Sequence, residues 1–139
     1  MNNCDTGIKV CYCGNEKVFP QILLSVISLA KYSGAPINVY LVTADFTRIN
    51  KKFIAVDKEK EKILTQALRK GNPQSQATVI DATKTYEEYL GGSKNEKSKY
   101  TPYSFLRLIL PKLGIADKII YLDADTMCCS DIQEFWDID

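Results

Sequence analysis

Apolar positions along the chain switch between two periods. Ile8 to Cys13 (IKVCYC) is a short apolar run of strand-favouring residues broken by Gly14 and Asn15, which predicts a buried first strand ending in a turn. After Pro20, the residues Ile22, Leu23, Val26, Ile27, Leu29 and Ala30 recur at three-and-four spacing. This is the spacing of a helix face, with Pro20 tolerated in the first turn and Gly34 suited to the stop. INVYLVTAD, Ile37 to Asp45, predicts a second strand. Between Phe53 and Lys70 charges dominate, but Ile54, Val56, Ile63, Leu64, Ala67 and Leu68 leave a partial stripe that ends at GNP, which predicts a helix on the surface. ATVIDA (Ala77 to Ala82) predicts a third strand, and TKTYEEYLGG a short helix capped at Thr83 or Thr85.

The stretch Gly91 to Lys99 has no apolar residue and predicts a mobile loop, too short to divide the chain into two domains. YTPYSFLRLILPKLG follows, with Phe105, Leu106, Ile109 and Leu110 on one helical face and Gly114 near its end. KIIYLDAD then closes the pattern as a central strand. Strands alternating with helices in this order predict a doubly wound α/β sheet, mostly parallel, in one domain over residues 1–139. Ligands of such sheets sit beyond the carboxyl ends of the strands, where strand order reverses. Two stretches carry chemistry suited to that place: CGNEK after the first strand and DAD after the last.

Composition narrows the chemistry. The 139 residues carry 18 Lys and Arg against 17 Asp and Glu, so no strong field favours nucleic acid or an anionic membrane. No apolar run approaches the roughly 20 residues that span a bilayer, and the opening MNNCDTG is not a signal peptide; a cytoplasmic location is the expectation. Cys4, Cys11, Cys13, Cys128 and Cys129 read as buried free thiols, and the adjacent Cys128 and Cys129 make no zinc pattern. Histidine is absent, which removes Ser-His-Asp and Cys-His triads and His-x-x-x-His zinc sites. Carboxylates, lysine, arginine, hydroxyls, backbone amides or a hard metal remain.

In an extended segment, residues two apart point to the same side, so Asp123 and Asp125 converge if Ala124 faces away. Beneath Ile119, Ile120 and Leu122 their repulsion calls for a shared proton or a cation, and manganese or magnesium prefers such oxygen ligands together with phosphates and water. On the residues alone, DADT reads equally as a polar turn. A phosphoryl-transfer protein with magnesium at DAD is a further alternative, but its usual aspartate nucleophile after the first strand is replaced here by Cys13, Gly14 and Asn15.

IIYLDADTM, followed by a polar step and DIQEFWDID and preceded by an RL-containing helix, resembles the donor-binding half of the family 8 glycosyltransferases. VCYCGNEKVFPQILLSVISLAKYS is similar to that family's opening strand, nucleotide turn and first helix. The resemblance runs from about Ile8 to Asp139 and is least specific over residues 47–99. It implies a GT-A fold that binds a UDP-hexose with manganese or magnesium. The hexose would pass to a glycan or lipopolysaccharide-type acceptor, with retention of configuration and without nucleic acid as a partner.

By the same resemblance Asp123 meets ribose and metal, Asp125 chelates the metal, and Ala124 lies between them in the donor-contacting stretch. Cys13, Gly14 and Asn15 meet the uracil, and Arg107 reaches the donor sugar. Read without the family, Arg107 is equally a surface cation of its helix. Lys17 stands where the family often has an asparagine on the ribose, and Val18 where a tyrosine stacks on uracil; Tyr12 and Tyr103 are the aromatic substitutes. The family's third metal ligand, a distal histidine, has no counterpart here. The sequence therefore reads as an amino-terminal fragment, whose apolar surface favours self-association.

Overall fold

A computed structural model of the protein describes residues 6–139; Cys4 lies outside them. Ile8–Cys13 forms β1 and Ile37–Thr43 forms β2, both buried along almost their whole length. That explains why each reads as a continuous apolar run rather than an alternating one. β1 pairs in parallel with β2, from Ile8 opposite Ile37 to Cys13 opposite Val42. β2 pairs in parallel with β3 (Gln76–Asp81), from Asn38 opposite Gln76 to Thr43 opposite Asp81. On the other side of β1 lies β4, only Ile120–Tyr121, with Val10 opposite Ile120 and Cys11 opposite Tyr121. The order β3-β2-β1-β4 reverses direction at β1.

Side chains of β1 alternate between two cores. Ile8, Val10 and Tyr12 face one core, with Ile22, Val26 and Leu29 of α1 (Phe19–Tyr32) and Leu64 and Leu68 of α2 (Lys60–Arg69). Cys11 and Cys13 face the other, with Phe46, Tyr86 of α3 (Thr83–Leu90), Tyr103, Leu106 and Ile109. Helical segments thus cover both faces of the sheet, as a doubly wound α/β fold requires.

Several expectations are corrected. KIIYLDAD is not a central strand: pairing covers two residues, and among the described residues β4 has β1 alone beside it. The chain leaves the sheet at Leu122 and turns, the Thr126 amide and hydroxyl both donating to the Asp123 carbonyl at 3.2 and 2.8 Å. Ile54 and Val56 precede α2 rather than extending it; the Val56 amide donates instead to the Thr43 hydroxyl at 2.9 Å. The start of α3 is held by Asp81, whose Oδ1 accepts from the amide and the hydroxyl of Thr83, so neither threonine is the cap.

Residues 102–113 wind as tight 3-10 turns rather than a regular α-helix. Pro111, inside the run, has no amide hydrogen to give and crowds the carbonyl four residues back. The expected apolar face is still used, with Leu106 and Ile109 buried, and Gly114 takes a left-handed conformation (φ 60°) after the last turn. Cys11 and Cys13 are buried thiols as expected, whereas Cys128 is half-buried and Cys129 exposed.

The segment 91–99 is pinned rather than free. Glu96 is 7% exposed within a single 3-10 turn, Lys94–Lys97. Its carboxylate accepts from the Gly92 amide at 3.2 Å and from both terminal nitrogens of Arg48, at 2.6 and 3.2 Å. Arg48 also reaches Glu87 of α3 at 2.7 Å.

Candidate functional site

The turn after β1 and the turn after β4 open on the same cleft, of about 600 Å³, at the point where strand order reverses. Gly14 begins the first wall. A side-chain carbon there would come within 2.6 Å of Val18 Cγ2 and 3.1 Å of Ile22 Cδ1, so only glycine lets the backbone pass this close to α1. Its amide donates to the Val42 carbonyl at 3.1 Å, continuing the sheet by one bond. Asn15 is buried and extended, and its Oδ1 accepts from the Val18 amide at 3.3 Å, capping the 3-10 turn Glu16–Val18 that feeds α1. Lys17, Val18 and Gln21 continue this wall.

The opposite wall is the acid turn, Asp123, Ala124 and Asp125. Both carboxylates are exposed, so burial beneath the strand does not force a cation between them, contrary to the reasoning from an extended strand. They share the cleft because the chain turns, not because it stays straight. α1 carries this turn: the Cys128 amide donates to the Ser28 hydroxyl at 2.9 Å, the Ser28 hydroxyl donates to the Ser25 carbonyl at 2.6 Å, and the Ser25 and Thr126 hydroxyls lie 3.4 Å apart.

Arg107 projects between the walls. Its Nε donates to the Ser104 carbonyl at 2.8 Å, and its guanidinium carbon stands 5.3 Å from the centre of the Tyr121 ring. Tyr121 is half-buried at the end of β4. Burial, then the neighbouring Cys13 thiol and the Asp123 carboxylate, hold its hydroxyl well above the usual phenol range, against the pull of Arg107. The hydroxyl therefore stays protonated.

Tyr103 and Tyr12 sit differently from the expectation that either would stack on a ligand. Tyr103 borders the cleft, but its hydroxyl donates to the Ala44 carbonyl at 2.8 Å, and its ring meets Phe46 and Phe53 edge-on at 5.0 and 5.8 Å. Tyr12 is 0% exposed in the opposite core, its hydroxyl 2.6 Å from the Ser25 hydroxyl. It does not reach the cleft. Burial raises its hydroxyl far above its ordinary range, with Ser25 opposing.

Cys13, Gly14, Asn15, Lys17, Arg107, Asp123, Ala124 and Asp125 are thus together, and Tyr12 is not. Reading the sequence missed Phe53, Ser104 and Tyr121. Tyr121 was within reach, two residues before Asp123. Phe53 had no local signal, because it enters the cleft from a loop closed by the Phe46 amide on the Phe53 carbonyl at 3.0 Å.

Two exposed carboxylates on one wall are hard oxygen donors of the kind that manganese or magnesium takes, with phosphate oxygens and water completing the shell. They fit as a partial ligand set. Among the described residues no group of three or more acidic, cysteine or histidine side chains gathers to hold a metal.

A parallel sheet with helices on both faces and a cleft at its reversal point is a Rossmann-like, GT-A architecture. The chain belongs to glycosyl transferase family 8, whose sequence profile matches residues 9–139. It is also similar to two crystal structures of the glycosyltransferase GlyE of Streptococcus pneumoniae TIGR4. The apo form has 21% identity and a TM-score of 0.59 over 95% of this chain and 26% of that one. The second structure, with the same identity and share of this chain, has a TM-score of 0.60 and is covered over 27%. At that identity the likeness establishes the fold, and the chain spans about a quarter of the length of these relatives. No curated protein matches.

Proposed function

We propose that residues 1–139 are the nucleotide-sugar half of a metal-dependent hexosyltransferase that takes a UDP-hexose and passes the hexose, with retention, to a glycan or lipopolysaccharide-type acceptor. A cytoplasmic site of action is part of this reading. One observation supports it above the others: two carboxylates, an arginine and a glycine-asparagine turn share one cleft at the reversal point of the sheet.

Each wall has a task in this reading. The Gly14-Asn15 turn lets the backbone approach the base closely, and Lys17 lies beside it for the ribose. Asp123 and Asp125 hold the divalent cation, whose contribution when bound is Lewis-acid neutralisation of the diphosphate. Arg107, oriented by the Ser104 carbonyl and the Tyr121 ring, places a fixed positive charge where the leaving diphosphate gains negative charge. Its guanidinium never deprotonates, so the charge is constant with pH.

Isothermal titration tests this directly. UDP should bind in manganese with a dissociation constant between about 1 μM and 1 mM, and the heat should disappear without manganese or in Asp125→Ala. Absence of heat with manganese present overturns the reading. A second reading, a nucleotide-sugar-binding module without turnover, draws on the two-carboxylate donor set; hydrolysis of UDP-glucose or UDP-galactose by this chain would exclude it.

A further inference from the structure

A second cleft, of about 440 Å³, lies between the loop at residues 48–53 and the segment at residues 96–102. It shares Phe53 and Thr101 with the donor cleft, so the two are neighbours across a common wall. Its acid is already neutralised: Glu96 is buried and bound by Arg48 through two bonds, and Arg48 also holds Glu87. This clamp fixes the segment that carries Lys97 and Lys99.

Both lysines line the cleft and are exposed. Among the described residues neither has a carboxylate within ion-pair distance, and the Lys99 ammonium lies 5.1 Å from the centre of the Tyr100 ring. The wall facing a ligand therefore carries two uncompensated positive charges, with the Thr101 side chain at the passage to the donor. Ammonium groups act on anions as point charges and favour phosphate or carboxylate over a neutral hydroxyl. A group-transfer reaction also needs its second substrate beside the first.

We propose that this cleft binds the anionic group, phosphate or carboxylate, of an acceptor sugar, with Lys97 and Lys99 as its charge partners. The acceptor role rests on the donor assignment above; the anion preference does not.

The chain, alone and loaded with UDP and manganese, is titrated with glucose 6-phosphate, glucuronic acid and glucose, by calorimetry and by amide chemical-shift mapping. Either anionic sugar should bind at least tenfold more tightly than glucose, with shifts centred on residues 97–101, and the tighter of the two identifies the anion. The double variant Lys97→Ala, Lys99→Ala should lose at least tenfold in that affinity while its UDP heat is unchanged. Equal binding of glucose, an unaffected double variant, or displacement of the anionic sugar by UDP would overturn the proposal. Anion binding at the lysines in a chain that ignores UDP would support the anion site and remove its acceptor role.

Discussion

Arg107 and Tyr121 are stacked, the guanidinium carbon 5.3 Å from the ring centre. They come from different parts of the chain, the 3-10 turns and β4, and meet above the acid turn. Tyr121→Leu should free Arg107, while Tyr121→Phe should keep it in place. Such a contact contributes about 0.5–1 kcal/mol at an exposed site. UDP-sugar affinity should fall a few-fold in the leucine variant, with binding of UDP itself changed less. Equal losses for both ligands would remove the positioning role.

Gly14→Ala should destabilise the fold as well as the site. The added methyl meets Val18 Cγ2 at 2.6 Å, and a short branched side chain cannot swing away as a lysine could. Overpacking of this kind costs about 1–3 kcal/mol, read as a lower urea midpoint with an unchanged slope.

Tyr12→Phe separates the core from the cleft. Loss of the hydroxyl partner of Ser25 should cost about 1 kcal/mol of stability. UDP binding should be unchanged, because Tyr12 faces the other side of the sheet. A large drop in UDP affinity would contradict that placement.

Acid should loosen the segment that carries Lys97 and Lys99. Arg48, with help from the Gly92 amide, holds the Glu96 carboxyl below its ordinary range in the folded chain, against the effect of burial. Its stabilisation is therefore complete above the unfolded value and lost as pH falls through the folded one. Since Arg48 is 44% exposed, the contribution is about 1 kcal/mol after solvent screening. Unfolding free energy should decline from about pH 5 downward, and Glu96→Gln should flatten that decline.

Met127, Phe135 and Ile138 are each more than half exposed, an apolar surface of the kind that associates. Light scattering should show mass rising with concentration, and Phe135→Glu should reduce it. A monodisperse monomer at high concentration would count against this.

The strands and α1 were readable because burial on both sheet faces leaves continuous apolar runs, and a helix packed on one face leaves a three-and-four stripe. Strand parity also carried more than was taken from it. Tyr12 and Cys13 are neighbours in a strand, so they point to opposite faces, and only one of them can meet a ligand at the Cys13 side. The acid pair was legible as a site feature but not in its geometry, because Thr126 bonds back to the Asp123 carbonyl and converts a strand into a turn. The fixed state of segment 91–99 was invisible locally. It depends on Arg48, 48 residues before Glu96 in the chain, and contacts at that separation leave no periodic trace.

Ser25 and Ser28 give α1 a reach that its own contacts with the sheet do not suggest. The helix begins at the base-side turn and, through these hydroxyls, also suspends the carboxylate turn a hundred residues further on. The two rims of the cleft therefore hang from one rod. A tilt of that rod would change the width of the opening, so Ser28→Ala, remote from any ligand atom, becomes a lever on how far apart base and diphosphate can be held.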